Sequence, residues 1–334
     1  MIKNIIRIIT LAACMVLIAI ATATVGYRMY IVEPVLKEGA ARTVIVKGGM
    51  TFREVSKILE QEGLIKNSKV FLLWARVKGY TRLLKAGEYN LSPAMSPERI
   101  MEMLTRGEII THLVTIPEGF SIEKIADVLS ENNLINREAF LSYTISDGIQ
   151  QRYGINGNGL EGYLYPDTYH FARGLEARAI VDSMIDRFRE VTGPYLADIA
   201  NSGMSLHEVV TLASIIEKET GKADERPLIA SVFLNRLKKR MRLESDPTVI
   251  YGIKNFSGNI KKKDLSTRTP YNTYVIKGLP PGPIANPGLD SVRAVLFPAD
   301  TDFLFFVSKN DGSHHFSKSL KEHNRAVYIY QKKR

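Results

Sequence analysis

Two glutamates near the end of one predicted helix are the residues best suited to acid–base chemistry. The apolar residues Leu212, Ile215 and Ile216 recur at helical spacing, and Glu219 falls on the same side of the helix. Glu217 comes two positions earlier, about 200° around the helix axis, so the two carboxyl groups point apart. The spacing therefore predicts that only one of them reaches a given cleft.

The position of Glu219 favours a raised pKa. The apolar residues place its carboxyl group at the edge of a buried surface, and Gly221 is a natural residue to follow a helix end. Glu219 then lies in the last turn, near free carbonyl groups and the negative end of the helix dipole. Desolvation and this dipole both disfavour the carboxylate, and thereby raise the pKa toward the value that a general acid needs. A solvated Glu-Lys-Glu turn on a surface helix is the alternative.

Two loops rich in tyrosine, proline and glycine carry groups suited to sugars. Residues 160–169 include Glu161 and Tyr163, and residues 269–282 include Asn272. Aromatic rings offer flat apolar surfaces for pyranose rings, and amide or carboxyl groups bond to hydroxyls. Packing inside the protein is the competing interpretation of these aromatic residues.

Two further predicted helices contribute polar residues. Asn235 lies on the polar side of a helix that begins around Asp224. Asp246 precedes Pro247, which indicates a helix N-cap with proline at the first position, and Tyr251 follows in the same helix. For Asp246 this pattern favours a capping role over a catalytic one.

Other catalytic chemistries lack their residues in this sequence. His207 and Glu208 are not followed by the second histidine of a zinc-protease motif, because position 211 is Thr211. The sequence also has no phosphate-binding glycine loop followed by lysine, and no Gly-X-Ser-X-Gly nucleophile motif. We therefore expect no metal and no cofactor.

The N-terminus predicts a helix that crosses a membrane once. No residue from Ile8 to Tyr27 carries a formal charge, and Arg7 and Arg28 bracket this apolar stretch. A helix needs about 20 residues to cross the hydrocarbon core. The basic residues before the stretch favour a cytoplasmic N-terminus and an extracytoplasmic remainder. A cleaved signal peptide and a lipoprotein cleavage box at Cys14 are the alternatives.

A pattern of strand, turn and two helices occurs twice, about 70 residues apart. Gly49 and Thr51 precede the first helix of one copy, and Gly119 and Ser121 precede that of the other. In the first copy, residues 85–91 are predicted to return as a strand. This βααβ pattern resembles a LysM module, which binds glycans that contain N-acetylglucosamine. A spacer domain without a ligand is the alternative.

Composition and charge restrict the classes of partner. The chain has 334 residues, 45% of them hydrophobic, and a formal net charge of +10. Its lysines and arginines are dispersed along the chain. We therefore expect a basic surface toward anionic lipid or an acidic polymer, and no nucleic-acid partner.

Several sequence blocks follow one another along the chain. The blocks are Leu160–Tyr169, Ala213–Thr220, Ala230–Arg236, Arg242–Leu243, Ser245–Gly252 and Tyr271–Tyr274. In this order they resemble the signature of the YceG-like endolytic murein transglycosylases. The similarity extends from about residue 40 to the C-terminus and is strongest between 160 and 290. An N-terminal anchor followed by a LysM-like region is also similar to that family.

The resemblance implies a reaction and its catalytic residue. Glu219 is the second acid of the Glu-Lys-Glu-Thr block and matches the family's catalytic glutamate. It protonates the glycosidic oxygen between MurNAc and GlcNAc, then takes the proton of the MurNAc 6-hydroxyl, so that a 1,6-anhydro-MurNAc end forms. One carboxyl group is enough for both steps, because the 6-hydroxyl is the attacking group and no water has to be bound and activated. We hypothesise that the substrate-binding residues are Glu161, Tyr163, Asn235, Asp246, Tyr251 and Asn272.

The resemblance also implies partners and competing functions. The expected partners are peptidoglycan glycan strands, the plasma membrane and, by the family's association, penicillin-binding synthases whose nascent strands are terminated by the cut. A non-catalytic, membrane-tethered glycan scaffold is one alternative. A muramidase-type hydrolase is another, and it needs a second carboxylate such as Asp246 or Glu161 near Glu219.

The predicted fold class is α+β, with an N-terminal transmembrane helix, a LysM-like α+β region and a mixed α/β catalytic domain that carries its glutamate on a helix. We place the cytoplasmic tail, the transmembrane helix, the linker, the LysM-like region and the YceG-like catalytic domain at residues 1–7, 8–27, 28–42, 43–153 and 154–334.

Overall fold

The chain forms two compact units, each with helices and β-strands. A computed structural model describes residues 2–156, 159–253, 256 and 258–332. Unit 1 holds the residues up to His112 together with His170–Glu176, and unit 2 holds Leu113–Tyr169 and the residues from Ala177 onward. The chain is therefore a mixed α/β protein, as predicted. The predicted cytoplasmic tail includes one residue, and the predicted catalytic domain a few residues, outside this description.

Unit 1 begins with a long apolar helix. Helix α1 spans Ile2–Tyr27 and continues into a π-helical turn at Arg28–Val32. Among the described residues, 9–32 form one helix that is long and apolar enough to cross a membrane. Ile31, near its end, is buried in unit 1. The first residues of the predicted linker thus continue the helix.

The rest of unit 1 is a small antiparallel sheet with helices packed on it. The sheet pairs its two strands so that Val44 lies opposite Tyr89, and both side chains are buried with Phe71 in one core. The order strand, helix, helix, strand matches the predicted βααβ pattern, while the likeness to a LysM module stays a prediction. The elements are β1 (Arg42–Val46), α2 (Phe52–Gln61), α3 (Ser68–Val77), β2 (Gly87–Leu91) and α4 (Pro97–Arg106).

The second copy of the repeat belongs to unit 2 from Leu113 onward. Gly49 and Gly119, at the turns before the first helix of each copy, have φ angles of 81° and 73°, which glycine adopts without strain. The Gly119 N–H donates to the Asn286 carbonyl oxygen at 2.9 Å, which ties this copy to the C-terminal half. The units thus divide at residue 112, inside the region 43–153, and the predicted domain boundaries stay a prediction. The elements of the second copy are β3 (His112–Thr115), α5 (Ile122–Glu131), α6 (Arg137–Thr144) and α7 (Ile149–Tyr153).

Unit 2 is built around helix α10, whose residues from Val209 to Ile216 are all buried. Helices α11, α12 and α14 pack against α10, so its apolar surface surrounds the helix and is wider than the predicted one-sided stripe. Ser205 and Glu208 form a capping box at its start. The remaining elements are β4 (Thr168–Phe171), α8 (Ala177–Thr192), α9 (Leu196–Asn201), α10 (Leu206–Glu219), α11 (Arg226–Lys238), α12 (Asp246–Gly252), α13 (Lys262–Leu265), α14 (Leu289–Leu296), β5 (Phe305–Ser308), β6 (His314–Ser317) and α15 (Leu320–Val327).

Candidate active site

A cavity of about 450 Å³ opens at the C-terminal end of α10. Glu219, the last residue of α10, is partly buried in its wall. Arg236 from α11 and Asp246 from α12 line the same cavity, as do residues of the β5–β6 hairpin and α15. Because α10 is enclosed by other helices, the Glu219 carboxyl group is held at this opening.

Burial raises the pKa of Glu219 to about 7, and the negative charge of Asp246 acts in the same direction. The Ser245 hydroxyl opposes this shift by donating a hydrogen bond of 2.5 Å to Oε1 of Glu219, and the positive charge of Arg236 opposes it more weakly. The predicted rise in pKa is therefore present, with desolvation as its main cause. Both protonation states of Glu219 are populated near neutral pH.

Ser245 was not among the predicted site residues, and its position corrects one prediction. It is the N-cap residue of α12, whereas Asp246, the predicted cap, is the first helical residue. The Ser245 side chain does not cap the helix because it bonds to Glu219 instead. The Ser245 N–H donates to Oγ1 of Thr273 at 2.9 Å, which fixes the start of α12 beside Glu219.

Asp246 is exposed and lines the cavity, where Tyr274 donates a hydrogen bond of 2.7 Å to its Oδ1. Burial and this contact raise the pKa of Tyr274. Tyr274 belongs to a loop that Asn272 holds together. The buried amide of Asn272 donates to the carbonyl oxygens of Leu265 and Thr267, and its Oδ1 accepts from the Tyr274 N–H.

Arg236 and Asn235 are neighbours on α11 with different surroundings. The Arg236 guanidinium donates to the carbonyl oxygens of Leu243 and Leu304, at 3.0 and 2.6 Å, and lines the cavity. The Asn235 amide donates to the carbonyl oxygens of Thr301 and Phe303, at 2.8 and 3.1 Å, and holds the segment that precedes β5. Its predicted contact with the glycan stays a prediction.

Besides Asn235 and Asn272, three predicted residues lie outside the set that lines the cavity, namely Glu161, Tyr163 and Tyr251. Glu161 accepts hydrogen bonds from the Ile122 N–H at 3.1 Å, the Asn286 amide at 3.0 Å and the Tyr251 hydroxyl at 3.3 Å. Burial raises the pKa of Glu161 to about 8. Tyr163 is buried, and its hydroxyl group lies 2.9 Å from Nδ1 of His207. Of the predicted site residues, the structure thus brings Glu219 and Asp246 into one cavity.

The C-terminal segment supplies residues that local patterns did not indicate. His314 lies in the cavity wall and is paired with Glu225 through Nδ1 at 2.6 Å. His323 from α15 also lines the cavity and stacks on Phe305, with ring centroids 5.2 Å apart. Burial lowers the pKa of His323, so this ring is neutral near neutral pH.

A protein-family model described as the YceG-like family matches residues 44–328. This chain belongs to the YceG-like family. The matched range contains the cavity residues from Glu219 to Val327. Both units therefore carry sequence that is typical of the family.

Named relatives in the YceG-like family match most of the chain. It is 33% identical over 321 residues to the endolytic murein transglycosylase of Bacillus subtilis, covering 91% of this chain and 89% of the relative. It is 31% identical over 317 residues to the protein of that name from Streptococcus pneumoniae strain D39, covering 85% of this chain and 57% of that longer relative.

A solved member of the YceG-like family shares the fold. The crystal structure of a YceG-like protein from Listeria monocytogenes superposes with a TM-score of 0.61 at 34% identity. The match covers 86% of this chain and 100% of that chain.

Proposed function

We propose that this YceG-like protein is an endolytic peptidoglycan lytic transglycosylase, which cuts MurNAc–GlcNAc bonds and leaves 1,6-anhydro-MurNAc ends. Relatives that match most of its length are named endolytic murein transglycosylases. In the chain itself, the observation that supports the proposal best is Glu219, a partly buried carboxyl group in a cavity wall with a pKa raised to about 7. Such a group serves as an acid in one step and as a base in the next.

The proposed reaction needs one carboxyl group and no water. Protonated Glu219 donates its proton to the glycosidic oxygen, and the bond from that oxygen to C1 of MurNAc breaks. The Glu219 carboxylate then accepts the proton of the MurNAc 6-hydroxyl as O6 bonds to C1. The GlcNAc-bearing product leaves with the first proton, and Glu219 returns to its acid form.

The neighbours of Glu219 fit this change of charge. The hydrogen bond from Ser245 and the charge of Arg236 stabilise the carboxylate that exists between the two steps. Desolvation and Asp246 keep the acid form populated at the start. These opposing influences support a pKa close to neutrality.

The two alternative functions have less support. A muramidase-type hydrolase needs a second carboxylate to bind the attacking water. Asp246 lies in the cavity but accepts a hydrogen bond from Tyr274, and the oxygens of Glu161 are bound by Ile122, Asn286 and Tyr251. A non-catalytic scaffold offers no reason for a carboxyl group with a raised pKa at the cavity.

The proposed location is the plasma membrane, which α1 crosses with its N-terminus in the cytoplasm. Lys3 and Arg7 precede the apolar stretch, and short basic segments favour the cytoplasmic side. The rest of the chain then faces the peptidoglycan outside the cytoplasm. A cut made there next to penicillin-binding synthases terminates a growing strand.

The test is mass spectrometry of purified peptidoglycan after incubation with the full chain in detergent. We expect 1,6-anhydro-MurNAc ends from the wild type and at least a 100-fold slower reaction from Glu219→Gln, since general acid–base catalysis contributes about 10² to 10⁴ in rate. The matched control is Glu217→Gln, which removes the other carboxylate of the same helix end. Circular dichroism confirms that each variant is folded.

Three results contradict parts of the proposal. Reducing MurNAc ends identify a hydrolase, and intact strands from a folded, glycan-binding protein identify a scaffold. If folded Glu217→Gln is inactive while Glu219→Gln retains activity, the assignment within α10 is wrong.

A further inference from the structure

The end of the apolar helix is fixed to unit 1. Ile31 in the π-helical turn is only 2% exposed. The Lys66 ammonium group donates to the Met29 carbonyl oxygen at 2.9 Å, and the Tyr27 hydroxyl donates to Glu98 at 3.2 Å. If α1 crosses the membrane, as proposed above, the side of unit 1 beside this turn therefore lies at the membrane surface.

Helix α3 lies beside that turn and carries an apolar surface that is exposed among the residues that the structure describes. Phe71 and Ala75 face the core, whereas the side chains of Leu73 and Val77 are 61% and 77% exposed. Because they are four residues apart, Leu73 and Val77 lie on one face of the helix. We call this pair the α3 face.

Basic residues flank the α3 face along the sequence. From Lys66 to Gly87 the sequence contains no aspartate or glutamate. The basic residues of this segment are Lys66, Lys69, Arg76, Lys78, Arg82 and Lys85. Apolar side chains flanked by lysine and arginine are typical of helices that lie in the headgroup layer of an anionic membrane.

We propose that the α3 face rests in the headgroup layer of the membrane that α1 crosses. The inference rests on the membrane anchoring proposed above and is independent of the reaction. Two elements then hold unit 1 to the membrane, α1 by crossing it and α3 by lying on it. Unit 1 is thereby kept in one orientation relative to the bilayer, because an attachment at two points prevents rotation about α1.

The test uses Trp74, the single tryptophan of the chain, which lies on α3 and is partly buried. The full chain is reconstituted in vesicles of phosphatidylcholine and phosphatidylglycerol that contain lipids with a fluorescence quencher near the headgroup. We expect strong quenching of Trp74 and at least a twofold loss of that quenching in Leu73→Gln/Val77→Gln. The control variant is Leu196→Gln, which changes an exposed leucine of unit 2.

A second arm tests the charges. In vesicles of phosphatidylcholine alone, or with Arg76→Gln/Lys78→Gln, we expect weaker quenching, since these changes remove the attraction between basic side chains and anionic headgroups. Equal quenching in all these samples contradicts an electrostatic contribution. Circular dichroism and thermal unfolding establish that the variants are folded.

The outcomes separate the anchor from the α3 face. If the chain floats with the vesicles but Trp74 is not quenched, the α3 face does not touch lipid and the proposal is wrong, while the anchor stands. If the chain does not float, both the anchor and this proposal are wrong, and the reaction is unaffected. A dimer that Leu73→Gln/Val77→Gln dissociates, without lipid quenching, identifies a second copy of the chain as the occupant.

Discussion

Glu217 and Glu219 lie on opposite sides of the C-terminal end of α10, and their carboxyl groups differ in hydrogen-bond partners. Glu217 accepts a hydrogen bond from Arg226 at 3.2 Å, one from the Gly288 N–H at 3.1 Å and one from the Ser291 hydroxyl at 2.7 Å. Its side chain is only 6% exposed. Glu219 is bound by Ser245 and otherwise faces the cavity among the residues that the structure describes.

This difference shows why one carboxyl group at the end of α10 stabilises the fold while the other is suited to proton exchange. At Glu217 a guanidinium and two further donors replace the lost water, so the charge is compensated and joins α10 to α11 and to the start of α14. At Glu219 burial is compensated only in part, and the pKa rises to about 7. The fully hydrogen-bonded carboxyl group of Glu217 therefore stabilises the fold. The carboxyl group of Glu219, which has fewer partners, can instead exchange protons near neutral pH.

The largest effect on stability is expected for Glu217→Ala. The change leaves the Arg226 guanidinium, in a residue only 8% exposed, without its main partner. Loss of one partner of a buried ion pair costs about 3 to 5 kcal/mol. We expect about 3 kcal/mol, because Glu118 and Asp290 still lie 3.5 and 3.7 Å from Arg226. Urea denaturation at neutral pH measures it.

Glu219→Ala is the control for that measurement. It removes a carboxyl group whose charged form is disfavoured in the folded state, so we expect no comparable loss at pH 8. If the two variants lose the same free energy of unfolding, Glu217 and Glu219 contribute equally to stability. The proposed difference between them would then be wrong.

The second effect concerns Glu161, a partly buried carboxyl group whose hydrogen-bond donors are all neutral. Its folded pKa is about 8 against an ordinary value of 4.5, so wild-type stability falls as pH rises from 4.5 to 8. Glu161→Gln removes this titration. We expect the variant to match the wild type near pH 4 and to exceed its free energy of unfolding by roughly 2 kcal/mol at pH 8, measured by urea denaturation.

Glu161 thus tests whether the guanidinium is what distinguishes Glu217. Neutral hydrogen-bond donors contact both carboxyl groups, and Glu217 in addition binds the Arg226 guanidinium. A pH-independent difference between Glu161→Gln and the wild type would mean that neutral donors suffice to stabilise a buried carboxylate in this fold.

Local features of this site were predictable from the sequence. The helical spacing of Leu212, Ile215 and Ile216 predicted a helix with Glu219 in its last turn, and the helix found is Leu206–Glu219. Helical geometry alone predicted that Glu217 and Glu219 face apart. The βααβ order in unit 1 followed from glycine turns and N-capped helices in the same way.

Contacts between distant segments were not predictable from local patterns. The Asn235 amide binds the Thr301 carbonyl, 66 residues away along the chain, which only the folded structure brings within reach. His314 and His323 line the cavity although they lie about 100 residues after Glu219, and periodicity carries no information at that separation. The units divide at residue 112 for a similar reason, because Asn286 binds the turn before α5.

A smaller effect is expected for Ser245→Ala. The hydroxyl group stabilises the Glu219 carboxylate, so its loss raises the pKa of Glu219 further, by about one unit for a hydrogen bond worth about 1.4 kcal/mol. In the proposed reaction Glu219 must be protonated for the first step, so activity is expected to fall as pH rises through this pKa. The pH profile of anhydro-MurNAc formation should therefore keep its shape while its alkaline limb moves about one pH unit higher.

Ser291→Ala is the matched change on the other side of α10, since it removes the hydroxyl that donates to Glu217. We expect it to lower the free energy of unfolding by about 1 kcal/mol and to leave the pH profile in place. If Ser291→Ala moves the alkaline limb, or Ser245→Ala does not, the proton-exchanging group is not Glu219. Removing one hydroxyl group on each side of α10 thus distinguishes the stabilising role of Glu217 from the proposed proton-transfer role of Glu219.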